Sequence, residues 1–359
     1  PFKSGKTTLR ASIGRFYDWL NAGTYEQTLR VDGFRQQELN IVNPAYPDAG
    51  ALGLIPATNR YLLGGDVRMA NNTRVSFGID QQITKVMRIT AIYADTQSSG
   101  LLVGDDLNAP VDGVRPNTVF ANIIETVSAG ESRLRSLTTS LNLNFSPPAI
   151  GPATTGPRFS WRRGLTVYGG YTLANARNNV DGAFSVPASG RLDTEWGPSG
   201  SDVRHRVFLS FNSTALRNLT AMLTIRGSTG TPYTIRTGRD DNGDLLFNDR
   251  PAGVGRNTVR TTGQWDAYGN FSYTIGFGKK KIPGGTGISF IPTASGPQVT
   301  AIDRGNVARY RLVFSLYVQN LTNHANYIGY SGLMTSPFFL KPTAVQGVRT
   351  LSLSANLSF

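Results

Sequence analysis

The sequence has no cysteine in 359 residues, so a disulfide framework, a thiolate metal site and a cysteine nucleophile are all excluded. Histidine is almost as scarce, with only His205 and His324. A catalytic triad needs a nucleophile and a base brought together, and no such pairing stands out around either residue, so no enzyme is expected. No run of about 18 apolar residues occurs, which excludes a membrane-spanning helix. A secretory signal is also missing, and Pro1 is not a natural start, so the chain reads as a segment of something longer. Apolar residues make up 39% and charged residues 16%, low for a packed soluble core and low for disorder.

What fills the gap is Gly, Ser, Thr and Asn, a mixture suited to many strands joined by turns. The net charge of +13 raises the question of nucleic acid. The arginines, however, stand singly (Arg10, Arg15, Arg68, Arg74, Arg88, Arg133, Arg135), without interleaved aromatic clusters. The one basic run, Lys279-Lys280-Lys281, sits in an expected turn. Nucleic-acid binding is therefore not expected. Arginines lining a wet interior or facing lipopolysaccharide phosphates account for the charge. Gly284-Gly285-Thr286-Gly287 and Ser4-Gly5-Lys6-Thr7 lack the pattern and the following helix of a phosphate loop.

The dominant signal is alternation with a period of two, which puts apolar side chains on one face of a strand and polar ones on the other. Leu351, Leu353, Ala355, Leu357 and Phe359 oppose Thr350, Ser352, Ser354, Asn356 and Ser358. Leu137, Leu141, Leu143 and Phe145 likewise oppose Ser136, Thr138, Ser140, Asn142 and Asn144. The polar face carries Ser, Thr, Asn and Arg with few Lys or Glu, as a watery lumen would. The pattern predicts an all-β antiparallel transmembrane barrel with about ten crossings, near residues 5–18, 72–83, 84–95, 131–146, 163–175, 204–215, 218–230, 263–277, 308–321 and 347–359. Short turns at 82–85 and 216–218 fall on one side. Long polar loops near 95–130, 175–203, 230–262 and 320–346 fall on the other, which makes that side extracellular. Residues 24–41 and 119–127 are β-rich and are expected as hairpin-like excursions outside the membrane. The link from 278 to 307 is too long for the periplasmic turn that parity requires. Trp161, Trp265, Tyr310, Tyr327 and Tyr330 lie near strand ends, where interfacial girdles are expected.

The terminal amphipathic strand, with Leu351, Leu353, Leu357 and Phe359, resembles the signal read by the barrel assembly machinery. The resemblance extends along the chain, through Ile13-Gly14-Arg15-Phe16-Tyr17-Asp18, Val75-Ser76-Phe77-Gly78-Ile79-Asp80-Gln81-Gln82, Asn108-Ala109-Pro110 and Gly113-Val114-Arg115-Pro116. It continues through Gly170-Tyr171-Thr172-Leu173-Ala174, Asp202-Val203-Arg204-His205-Arg206, Gly238-Arg239-Asp240-Asp241-Asn242-Gly243-Asp244, Phe247-Asn248-Asp249-Arg250-Pro251 and Gln319-Asn320-Leu321-Thr322-Asn323-His324. Together these resemble the C-terminal barrel portion of TonB-dependent receptors of the Oar-like type. The resemblance implies a barrel of about 22 strands with an N-terminal plug, of which residues 1–359 would be the C-terminal part. The plug, the TonB box and the earlier strands would lie outside this chain. It implies import of a ligand powered through the TonB complex. A barrel anchor whose loops bind a protein or glycan, and a passive porin, are the alternatives. Expected partners are outer-membrane lipid and lipopolysaccharide, the TonB complex and the assembly machinery.

Asp240, Asn242, Asp244 and Asp249 place oxygen ligands at near-alternate positions of a glycine-containing loop, a pattern that suits Ca2+. Leu245 stands where a calcium-binding EF-hand loop would have glycine, so the match is incomplete and an ordinary polar turn competes with it.

Overall fold

The computed structural model describes residues 5–38, 58–145, 164–216, 218–280, 286–293, 296–303 and 307–359. Trp161 lies outside the described residues. Ten long strands form one antiparallel meander, each paired with its neighbours in the wall. They are β1 (Thr7–Tyr17), β3 (Asn71–Thr84), β4 (Met87–Asp106), β5 (Phe120–Phe145), β6 (Leu165–Asn178), β8 (His205–Ser213), β9 (Leu219–Ser228), β12 (Gln264–Lys280), β15 (Val307–Gln319) and β18 (Thr350–Ser358). These are the ten predicted crossings, in order. Among the described residues β1 pairs only with β3 and β18 only with β15, so the wall is an open sheet and not a closed barrel.

Register carries each strand's alternation across the whole sheet. Leu353 faces Leu316, which faces Phe271. Ala267 faces Ile225, which faces Leu209. Val207 faces Tyr171, Thr139 faces Ala91, and Tyr93 faces Phe77, which faces Ala11. One face is therefore a continuous apolar surface, with Leu9 at 62% and Leu353 at 78% exposure. A soluble protein rarely leaves so large a patch bare. The other face is polar and knits itself together. Ser12 Oγ lies 2.7 Å from Ser76 Oγ, Ser272 Oγ 3.0 Å from Ser315 Oγ, and Thr90 Oγ1 donates to Asp80 at 2.6 Å. Arg10 pairs with Asp80, and Arg88 Nε donates to Gln82 Oε1 at 3.1 Å, on this same face.

Short connections gather at one end. The β3–β4 turn is a tight reversal, and Asn218, at φ 67°, takes the left-handed conformation that closes the β8–β9 turn. On this same end the long 278–307 link contains a two-stranded hairpin, β13 (Thr286–Thr293) with β14 (Gly296–Asp303), so an added hairpin occupies it. At the opposite end β4 and β5 run past the wall as one tall ladder, paired out to Asp106 and Ile124. Residues 119–127 are accordingly a continuation of a crossing strand and not a separate excursion. A short strand β2 (Thr58–Leu63) lies parallel on that extension.

Residues 24–38 depart from expectation, and 39–41 of that stretch lie outside the described residues. Tyr25, Thr24 and Thr28 favour strand by propensity, yet Ala22–Arg30 is a helix, α1. Asn21 Oδ1 caps it by accepting from Gly23 N at 2.9 Å, and Glu26 lies 3.9 Å from Arg30 one turn on. The loop end is completed by a 3-10 turn (Leu192–Glu195) and small strand pairs. β7 (Gly197–Pro198) joins β6, β10 (Pro232–Tyr233) joins β11 (Val259–Arg260), and β16 (Asn326–Ile328) joins β17 (Ala344–Gln346).

The face assignment has a direct test. Leu316→Arg should destabilise the membrane-inserted protein by about 2–4 kcal/mol, whereas Asn270→Arg on the polar face should be nearly neutral. Denaturant unfolding from vesicles measures both, and equal effects would refute the assignment.

Candidate functional site: the loop cap and the polar wall

The long loops fold onto one another as a cap with its own small core. Val31, Tyr61 and Ile124 are buried together, and Phe184, Val186 and Leu246 pack against them. Tyr61 meets Phe184 edge-on at 5.1 Å, and Phe34 meets Phe120 at 5.5 Å. The cap thus draws on α1, β2, the β4–β5 extension and the loops 179–204 and 229–263.

Buried charge fastens it. Glu195, 3% exposed, accepts two bonds from Arg250, both 2.7 Å. That carboxylate raises the Arg250 guanidinium above its ordinary pKa. Arg256 donates from Nε to the Glu195 carbonyl at 3.1 Å and also holds Asp181 and Asn178. Arg260 pairs with Asp202, 2% exposed, and donates to the Gly230 carbonyl at 3.0 Å. Asp202 also accepts from Ala176 N at 2.7 Å. Gly197 lets the strap pass closely, since a Cβ there would sit 2.8 Å from the Arg256 carbonyl. Three arginines of one loop therefore grip three acids of another.

The recurrent motifs are the fasteners of this cap. Asn108, fully buried, donates to the carbonyls of Asn117, Phe120 and Ala121 at 2.9–3.1 Å and accepts from Asn117 N at 2.7 Å. Arg115 donates to the Asn108 carbonyl at 3.0 Å, to Asn122 Oδ1 at 2.9 Å and across to the Gly243 carbonyl at 3.2 Å. Asn248 Nδ2 reaches the Val186 carbonyl at 3.0 Å. Asn320 joins the His324 carbonyl at 2.8 Å to that of Gly347 at 2.6 Å. His205 Nδ1 lies 2.7 Å from Tyr171 Oη on the apolar face, and the His324 backbone N donates to Asn320 Oδ1 at 2.9 Å.

Asp240, Asn242, Asp244 and Asp249 do come together in one loop, and most of their oxygens are engaged there. Asp249 accepts from Asp241 N at 2.8 Å, Asp240 from Leu245 N at 3.0 Å, and Asp244 from Leu246 N at 2.7 Å and Asn242 Nδ2 at 2.8 Å. Asp240 Oδ1 is buried without a partner. Burial pushes the Asp244 carboxyl above its usual range, and Asp249 and Asp240 add to the rise. Among the described residues no three acidic or histidine side chains form a metal-binding group.

Below the cap the polar face bounds a cavity of about 780 Å³ lined by Tyr168, Phe208, Arg206, Arg226 and Asp266 among others. Arg226 lies over the Tyr268 and Phe208 rings at 5.1 and 5.7 Å, and donates to Tyr268 Oη at 2.9 Å. Trp265 and Tyr310 stand at opposite ends of the apolar face, Tyr310 stacked on Phe277 at 5.3 Å. From Trp265 to Phe277 along a tilted strand spans about 30 Å, the thickness of a bilayer's hydrocarbon layer.

An apolar outer face of membrane height, a polar inner face and loops at one end meet what the sequence pattern required. The sequence matches the model of the outer membrane beta barrel domain over residues 1–350. The chain belongs to this family. It is a bacterial outer-membrane β-barrel protein. Short turns at one end and long loops at the other are the arrangement in which barrels of this kind put their turns in the periplasm and their loops outside. No curated protein matches the sequence. Among solved structures, it is similar to the outer membrane transporter YddB from Escherichia coli, with TM-score 0.57 and 11% identity over 99% of this chain and 39% of that one. The ferric-catecholate import receptor Fiu from E. coli K12 gives TM-score 0.45 and 14% identity, covering 98% of this chain and 33% of that one. The FrpB iron transporter from Neisseria meningitidis gives 0.42 and 12%, covering 83% and 32%. At 11% identity the likeness to YddB is one of fold, and this outer-membrane barrel domain spans two-fifths or less of each of those chains.

Sequence reading missed Glu195, Asp181, Arg256 and Arg260, because charges in long polar loops read as solvated. It also left the side taken by each arginine open. Register puts Arg10, Arg74 and Arg88 on the lumen face and Arg15, Arg133 and Arg135 on the lipid face.

Breaking one clamp tests whether it holds the cap. Arg250→Ala leaves the buried Glu195 carboxylate with Arg256 Nε alone, 4.0 Å away, and should cost about 3 kcal/mol of local stability. Hydrogen exchange should accelerate in 179–203 and 230–262 while β3–β6 stay protected. Unchanged exchange in the loops would show that the clamp is dispensable.

Proposed function

We propose that this chain is the C-terminal part of the barrel of a TonB-dependent receptor, one that binds a ligand at its outer cap and imports it through the lumen. What supports this reading is the cap. Its loops are tied by buried ion pairs over a polar, cavity-bearing wall, on a fold similar to that of an outer-membrane transporter. A passive porin would be served by an open mouth. Energy coupling would come through a plug and TonB box elsewhere in the protein, and ligand selectivity from the exposed tips. The final strand, through Leu351, Leu353, Leu357 and Phe359, would be read by the barrel assembly machinery.

The uptake reading predicts that cells carrying the full-length protein lose energy-dependent accumulation of its ligand when the TonB system is deleted, while surface binding persists. Accumulation that survives the deletion rejects import. Steady conductance in planar bilayers would instead favour a porin, and binding without any accumulation an anchor.

The acidic loop is proposed to take Ca2+ through Asp240, Asn242, Asp244 and Asp249, whose oxygens would have to turn from their backbone partners toward one point, on the strength of the partnerless Asp240 oxygen. A carboxyl whose folded pKa is raised favours the fold below the ordinary carboxylate range, and that contribution is lost as pH rises through the raised value. A cation would offset this cost at neutral pH and be displaced as Asp244 protonates. Calorimetry at pH 7 should therefore give Ca2+ heat that disappears in acid, with slower proteolysis of 240–249. No heat and no change in cleavage would reject the site.

A further inference from the structure

The lipid-facing side of the wall carries a cluster of arginines at its outer edge. In register, Arg15 faces Thr73, Thr73 faces Gln97, Gln97 faces Arg133, and Arg133 faces Arg177 directly. All of them share the parity of the apolar face. One step closer to the membrane, Arg135 faces Asp95 on one side and Asn175 on the other. The next step down is already hydrocarbon-facing, with Leu137 opposite Tyr93 and Leu173. Arg204 reaches the same patch, placing Nη1 and Nη2 at 2.8 and 3.1 Å from the Asn175 oxygen with that amide in its satisfied orientation.

The acids present do not balance this row. Asp95 takes Arg133 through two bonds, 3.0 and 2.6 Å, and lies 3.5 Å from Arg135. Glu131 is one step further out, opposite Ser99, and makes no ion pair among the described residues. Arg177 has no carboxylate partner among them either; it donates to the Trp196 carbonyl at 3.5 Å and stacks over that ring at 6.0 Å. Arg133 and Arg135 remain 38% and 52% exposed despite their shared acid. Like charges directly opposite across a strand pair repel. Keeping Arg133 against Arg177 on a lipid-facing surface is costly unless an anion sits between them. Immediately above the hydrocarbon of a bilayer, the available anion is phosphate, and guanidinium groups bind it in bidentate fashion.

We infer that Arg133, Arg135 and Arg177, with Arg204 beside them, form a binding site on the outside of the barrel for the phosphate groups of a phosphorylated lipid of the outer leaflet. The inference rests on the outer-membrane setting and not on the transport reading, so either can fail alone.

The test uses the full-length protein extracted in neutral detergent, with bisphosphorylated lipid A as probe. Native mass spectrometry should show the parent retaining the lipid and the double variant Arg133→Gln/Arg177→Gln binding it about tenfold more weakly. The lumen-facing variant Arg206→Gln should bind like the parent. Thermal unfolding separates binding from scaffolding. Without lipid Arg177→Gln should be at least as stable as the parent, because a repulsion is removed, and lipid A should raise the parent's Tm more than the variant's. Equal lipid retention by parent and double variant would overturn the site. Loss of stability by Arg177→Gln in lipid-free detergent would make Arg177 a structural residue and overturn it too. The same Tm rise with inorganic phosphate at matched concentration would assign the site to free anion rather than lipid.

Discussion

The backbone hydrogen-bond ladder is the constraint from which the rest follows. A strand in hydrocarbon has no water to turn to, so every amide and carbonyl must find a partner in a neighbouring strand. The ten-strand meander supplies those partners from β3 to β15, and register then fixes which side chains meet lipid. Because side chains alternate with a period of two, a register that shifts only near strand ends in β3–β4 and in the outer part of β4–β5 makes one face apolar from Leu9 to Leu357 and the other polar. Among the described residues, the edges β1 and β18 are where the same demand is left open.

The cap answers the opposite problem. In water, long loops rich in Gly, Asn and Asp have little apolar surface to bury, and their ordering must be achieved by other means. Here a small core around Val31, Tyr61 and Ile124 is reinforced by Arg250 on Glu195, Arg256 on Asp181 and Arg260 on Asp202. Buried ion pairs are costly to break more than they are profitable to form. They act on specificity, holding one loop arrangement against its many alternatives. Tips such as 111–114 are left outside that network and exposed.

The wall was legible in the sequence because lipid imposes a strict pattern. Leu351 to Phe359 reads as an outer-face strand with no structural help, and the other nine crossings read the same way. The cap was less so. Residues 22–30 carry strand-favouring Tyr and Thr, and only the Asn21 cap and the Glu26–Arg30 spacing speak for the helix that forms. The β4–β5 extension continued where a loop was expected, because outside the membrane its pairing no longer needs an apolar face. Glu195 and Arg250 are far apart in sequence, and nothing local marks them as buried partners. Motifs such as Asn108-Ala109-Pro110 were visible, but their role as carbonyl-gathering pins emerged only from geometry. Arg133 and Arg177 were hidden differently, since strand ends lose alternation and only register shows the side each takes.

The clamp between the two large loops has a consequence for assembly. Asp202 leads into β8, while Arg260 sits just before β12, so their meeting depends on how β8, β9 and β12 are aligned. A slip of one residue at either seam would shift the loop bases by about 3.3 Å and turn a strand's lipid side inward. The charged pairs would then miss one another. The cap's ion pairs therefore meet only over a wall whose strands are in this register.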